Sequence, residues 1–268
     1  MRYLLLQTSI NQLTLASLIT FMQTRIIAHV IPVEVKSYGL CRYFDRSFCY
    51  FIYMLHQVVG IASAVSICFM FYYKFITFKS FFKFSPGALF RRYMVFYFPV
   101  FLSLVLSIII VIRDSQDLTM VSTLDDLGGL TIANLKINAI PNMVNLVTIF
   151  CTTFGTPTIS IILGSRIIKL IKTNSSALTL TQTASFLKGL EYQAVCPLIF
   201  YVPGFGFYYY CILTTSVYEL QQYFLTPVVC LPTIIDPLVN MYYIIPFRNF
   251  IKSKVERTII ESDSTIRS

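Results

Sequence analysis

Six apolar segments, at about 3–24, 47–73, 90–112, 139–164, 189–213 and 222–247, dominate this chain. Each approaches the roughly 20 residues that a helix needs to cross a hydrocarbon core. Backbone groups in lipid must be satisfied internally, so helices are the natural spanning element here. The chain has 268 residues, 56% of them hydrophobic and only 12% charged. A soluble domain carries about 25% charged residues, so this one could not cover its surface in water. The expectation is an all-α membrane protein, a single helix bundle with six visible transmembrane helices over 1–250 and a tail over 251–268. No internal repeat divides it.

Orientation follows from Lys and Arg. Segment 74–92 holds Lys74, Lys79, Lys83, Arg91 and Arg92 without an acid. Segment 165–188 holds Arg166, Lys169, Lys172 and Lys188, and the tail holds Arg248, Lys252, Lys254, Arg257 and Arg267. Together with Arg2 these place both loops and the tail in the cytosol. The net charge of +9 is thereby assigned to cytosolic loops, and no nucleic acid is needed to explain it. Loop 25–46 is the awkward one, with Arg25, Lys36, Arg42 and Arg46 in an outer position. Asn174-Ser175-Ser176 has the glycosylation pattern but falls on the cytosolic side, where it would stay unused. Ser and Thr in the tail are either phosphorylation sites or a solvated end.

The last segment carries Asp236-Pro237 near its middle, then Asn240, Tyr242 and Tyr243, and stops at Phe247-Arg248. An ionisable residue inside a membrane points to function. Pro237 removes a backbone N–H and kinks the helix. The functional reading is a bistable kink formed by Asp236, Pro237, Asn240 and Tyr243, with Asn11 of the first span a further partner. The alternative is a purely structural kink. This pattern at the cytosolic end of a last span is that of a serpentine receptor.

Other polar residues sit in outer halves of spans: His56, Gln57, Asn142, Asn145, Tyr201, Phe205 and Tyr208. Small-molecule pockets are mostly apolar with a few placed polar groups, and this set would supply one. The competing reading is ordinary packing. Cys41 and Cys49 fall in or beside an outer loop, where disulfides persist; they are either bridged or two free thiols. No C-x-x-C pair occurs among the seven Cys, and neither His has metal-ligand spacing from a Cys. The reading therefore includes no metal, no cofactor and no catalytic residue, and the chain is read as no enzyme.

Several segments then carry a resemblance. They are Met1-Arg2-Tyr3-Leu4-Leu5-Leu6 through Gln23-Thr24-Arg25, Ser37-Tyr38-Gly39-Leu40-Cys41-Arg42-Tyr43-Phe44 with Cys49-Tyr50, and Gly189-Leu190-Glu191-Tyr192-Gln193 with Pro197 and Tyr201-Val202-Pro203. Leu231-Pro232, Ile235-Asp236-Pro237 and Pro246-Phe247-Arg248 complete the set. In this order and spacing the chain resembles the nematode serpentine chemoreceptors of class delta (Srd). The resemblance implies a seven-helix G-protein-coupled chemosensory receptor in the plasma or ciliary membrane of sensory neurons. Its partners would be a small-molecule ligand, a heterotrimeric G protein and membrane lipid. Lys74, Arg166, Lys169 and Arg248 would face the G protein.

The resemblance also implies that helix one is absent from this chain. Parity agrees, because six spans put both ends in the cytosol. A cleaved signal peptide at 1–22 is the alternative, though Gln7, Thr8, Ser9, Asn11 and Gln12 make a poor apolar region for one. Tyr72-Tyr73-Lys74 stands where rhodopsin-like receptors have an acid, an arginine and an aromatic, so an ionic lock is not carried over. Loop 113–138 has no Cys, so the usual bridge to that loop cannot form. Two further function classes remain open from sequence: a transporter or channel using Asp236 and Glu191, and a truncated non-signalling receptor.

Overall fold

The computed structural model describes residues 2–27, 33–79, 86–117, 129–135, 139–174 and 177–214, with Val228, Leu231, Pro232, Ile234, Ile235, Leu238 and Val239 beyond them. The elements are α1 (Arg2–Met22), β1 (Thr24–Ile27), β2 (Val33–Ser37), a short 3-10 helix (Leu40–Tyr43), α2 (Arg46–Lys79), α3 (Pro86–Phe96), α4 (Phe98–Asp117), β3 (Leu130–Leu135), α5 (Ile140–Asn174) and α6 (Ala177–Thr214). The last expected span, 222–247, and the tail lie largely outside the described residues.

Length separates the helices. At 1.5 Å per residue, α1 is ~31 Å long, about the thickness of the hydrocarbon core. By the same rise α2 and α5 reach ~51 Å or more and extend beyond it. Among the described residues three helices are long and apolar enough to cross a membrane, or four if α3 and α4 form one bent span. Most of α2 is buried, whereas α1 and α5 leave most of theirs uncovered. Thus α2 is the central post, packed against α1, α4, α5, α6 and β3.

α1 shows the inverted pattern of a membrane helix. Its inward face buries Thr8, Gln12, Leu15, Ile19 and Met22, while Tyr3, Leu6, Ile10 and Leu13 are exposed. In water that outer stripe would be unfavourable; in lipid it is the favoured surface. The outer faces of α4 and α5 repeat it with Phe101, Val105, Ile108, Ile112, Val147 and Phe150.

Three buried clusters mark depth. One joins Met22, Cys41, Cys49, Tyr50, Ile110 and Ile132, from the end of α1, the start of α2, the end of α4 and the sheet. A middle cluster joins Ile61, Val65 and Tyr97. The third joins Met70, Phe71, Ile167 and Leu187, with Leu4 and Leu5 against it. Successive spans therefore alternate in direction. Lys74, Arg166, Lys169 and Lys188 all belong to the third end.

Two features depart from the spans read in the sequence. Segment 90–112 is two helices bent by 49°. The break falls at Tyr97, just before Pro99, whose ring lacks an N–H and clashes with the preceding turn. The Tyr97 carbonyl accepts from both Val100 N at 3.0 Å and Phe101 N at 3.1 Å, which restarts the helix. The expected cytosolic loop 165–188 is also mostly helix, because α5 runs to Asn174 and α6 begins at Ala177.

The loops at the end opposite Lys74 and Lys169 form an antiparallel sheet in the order β1-β2-β3, which the apolar spans do not announce. β2 alternates, with Val33, Val35 and Ser37 buried and Glu34 and Lys36 half-exposed. The awkward basic residues of 25–46 find local partners there. Lys36 Nζ lies 3.8 Å from Glu34 Oε2, Arg25 Nη1 donates to Tyr38 OH at 3.2 Å, and Arg42 Nη2 donates to Tyr43 OH at 2.6 Å.

The C-terminus of α1 is tied to this cap. Gln23, at φ 44, turns the chain out of the helix. Ser37 Oγ donates to Met22 O at 2.6 Å, and Gly39 N donates to the same oxygen at 3.0 Å. A Cβ at Gly39 would strike the Phe21 carbonyl. Cys41 and Cys49 are joined by a disulfide with Cα atoms 5.7 Å apart, which pins the 3-10 helix to the first turn of α2.

Candidate functional site

Beneath the sheet lies a cavity of about 230 Å³. α1 lines it with Gln12, Leu15 and Ile19, and α2 with Tyr53, His56, Gln57, Gly60 and Ser63. α5 contributes Thr153, Thr156, Pro157 and Ser160, α6 contributes Gln193, Tyr201, Phe205 and Tyr208, and Pro232 closes one side. Thr24, Ile26 and Leu135 of the sheet form the outer wall. The wall is mainly apolar with scattered amides and hydroxyls, and no charged residue is among its described lining.

Of the pocket residues read from sequence, the structure gathers His56, Gln57, Tyr201, Phe205 and Tyr208 around this cavity. Asn145 does not line it but reaches it through a neighbour. Ser103 Oγ donates to Asn145 Oδ1 at 2.8 Å, and Asn145 Nδ2 donates to Gln57 Oε1 at 3.1 Å. This chain joins α4, α5 and α2. Asn142, in the first turn of α5, is half-buried and is not part of the wall.

Sequence reading missed Gln12, Gln193, Thr153, Thr156 and Ser160. A signal for the last two exists. Thr148, Thr152, Thr156 and Ser160 recur every fourth residue, and each hydroxyl donates to the carbonyl four residues before it, at 2.7–2.8 Å. Such back-bonding satisfies hydroxyls inside a membrane helix. Pro157 sits in the middle of this column without ending α5. It withholds the N–H that would have bonded the Thr153 carbonyl.

A second polar cluster lies nearer the basic end of the bundle. Gln7 Nε2 donates to Tyr93 OH at 2.8 Å and to Tyr97 OH at 2.6 Å. Tyr97 OH and Ser66 Oγ share a hydrogen bond at 2.6 Å, and Asn11 Nδ2 donates to Ser66 Oγ at 3.2 Å. Asn11 thus pairs with α2. Asp236, Pro237, Asn240 and Tyr243, its expected partners in a kink, lie outside the described residues. At the inner end, Arg166 and Lys169 are exposed on α5 and Lys74 is half-buried on α2; Arg248 lies outside the described residues. Among the described residues no group of three or more His, Cys, Asp or Glu could hold a metal ion.

The comparisons with known proteins agree with one another. Residues 1–253 match the family described as serpentine type 7TM GPCR chemoreceptor Srd. Serpentine receptor class delta-40 of Caenorhabditis elegans is 32% identical over 260 residues, which cover 94% of this chain and 81% of that protein. Serpentine receptor class delta-45 of the same organism is 26% identical over 281 residues, covering 99% and 87%. No solved structure matches the chain significantly. A bundle of apolar helices with polar residues turned inward, matched along nearly its whole length, leaves one conclusion: the chain is an integral membrane protein and belongs to the Srd family of serpentine, GPCR-type chemoreceptors.

Proposed function

We propose that this receptor binds a small external molecule in the cavity beneath the outer sheet and signals through a heterotrimeric G protein at its cytosolic face. The observation that carries this reading is the cavity itself. It joins α1, α2, α5 and α6 and the sheet in one apolar wall, and the polar chain Gln57–Asn145–Ser103 ties it to α4. A ligand that shifts any of these helices shifts its neighbours. Lys74, Arg166, Lys169 and Arg248 would meet the G protein. The Asp236-Pro237 kink, with Asn240 and Tyr243, would be the switching element. The plasma or ciliary membrane of sensory neurons is the proposed site of action.

Gly60 provides the test. It lines the cavity, and a Cβ there would meet nothing within 4 Å. Gly60→Ala should reach the surface and respond as wild type does. Gly60→Phe should reach the surface and lose the cue-evoked G-protein response in a reporter cell. A full response from Gly60→Phe would remove the cavity as the ligand site. In the same assay Asp236→Asn should change the response at normal surface expression; a wild-type response would leave Asp236 only a structural role.

A further inference from the structure

Resting on the cavity as the ligand site, we infer that its ligand is a neutral, hydroxyl-bearing hydrocarbon of about nine or ten non-hydrogen atoms, scaled from a roughly 150 Å³ cavity that holds benzene. Three observations lead there.

First, the described lining has no Asp, Glu, Lys or Arg. A charged ligand would lose its hydration without gaining a counter-charge from these residues, and that cost in an apolar site is large. Second, two hydroxyls of the α5 wall are spent on their own helix. Thr156 and Ser160 each give their only hydroxyl hydrogen to their own helix, so they offer lone pairs alone. Pro157 adds to this by leaving the Thr153 carbonyl without its helix donor. A ligand O–H can donate to these three acceptors, whereas a ketone or an ether cannot. Third, His56 lines the cavity, and its buried Nε2 has no hydrogen-bond partner among the described residues. A buried unpaired nitrogen is costly. With the imidazole turned toward the cavity, Nε2 would meet a ligand hydroxyl, which pairs with either tautomer because it both donates and accepts.

The test is direct binding to the full chain in lipid nanodiscs, read by ligand-induced shifts of the unfolding midpoint. The probes are linear and cyclic sets on matched carbon skeletons: alcohols, the corresponding ketones, alkanes, carboxylates and primary ammonium ions. Alcohols should bind at least about tenfold more tightly than ketones or alkanes, the worth of one well-made hydrogen bond. Ions should not bind. His56→Phe should lower alcohol affinity about tenfold and leave alkane affinity unchanged. The alkane arm also reports folding, and His56→Leu serves if the phenyl ring is too large. Gly60→Phe should abolish binding of every class. Ketones equal to alcohols would overturn the hydroxyl, and ions expelled by Gly60→Phe would overturn neutrality; both leave the cavity as the ligand site. If no class binds, or if Gly60→Phe expels nothing, the cavity reading falls and the ligand class with it.

Discussion

Asn145 Nδ2 donates to Gln57 Oε1 at 3.1 Å across the α2–α5 contact, while its Oδ1 accepts from Ser103 at 2.8 Å. Asn145 and Ser103 are buried. Interhelical hydrogen bonds in membranes average about 0.6 kcal/mol and reach about 1.7. Asn145→Leu should therefore lower stability by roughly 1–3 kcal/mol in detergent unfolding, because it leaves Ser103 unpaired and frees the Gln57 amide. Unchanged stability would mean that the chain does not hold these helices together.

The bend between α3 and α4 makes its own prediction. Tyr97 stacks on Tyr93 with ring centroids 4.2 Å apart, and its hydroxyl meets both Gln7 and Ser66. Tyr97→Phe keeps the ring and removes the hydroxyl. A loss of about 1–2 kcal/mol is expected. Combined with Gln7→Leu, the two losses should fall short of additive by about 0.5 kcal/mol or more. Strict additivity would show that Gln7 and Tyr97 do not act together.

The outer cap is sensitive at two positions. Cys41→Ser opens an eight-residue bridge; such losses run about 2–4 kcal/mol, with short loops at the low end. Gly39→Ala places a methyl group against the Phe21 carbonyl and should cost about 1–3 kcal/mol through forced displacement. Both should reduce surface expression. Non-reducing peptide mapping of wild-type protein should recover Cys41 linked to Cys49, and recovery of two alkylatable thiols would contradict the bridge.

Topology is tested by glycosylation. α5 ends at Asn174, on the basic side of the bundle. Asn174 should remain unmodified in cells, while a sequon engineered near Asp117 should be used. Modification at Asn174 would reverse the orientation.

Much of the bundle was legible because lipid imposes a one-dimensional rule. A helix must be apolar for about 20 residues, and that rule can be read from Leu4 to Met22 or from Phe48 to Phe71 without knowing any neighbour. Basic residues in the loops set the expected direction by a similarly local rule. The outer-half positions of His56, Tyr201 and Phe205 were legible in the sequence; that they line one cavity is what the structure adds.

Contacts between distant segments were not legible. Strand β3 pairs with β2 across nearly a hundred residues, with Val35 opposite Ala133. Gln12 of α1 and Gln193 of α6, far apart in sequence, both line one cavity. Asn11 reads from sequence as a partner of Asp236, which lies outside the described residues; among the described residues it meets Ser66. Sequence by itself determined which stretches are apolar enough to enter lipid and which ends are basic, because the transfer free energy of each side chain acts locally. Tertiary structure alone decided which polar groups meet, because a hydrogen bond depends on the rotation of two helices about their axes, and hydropathy is blind to that rotation.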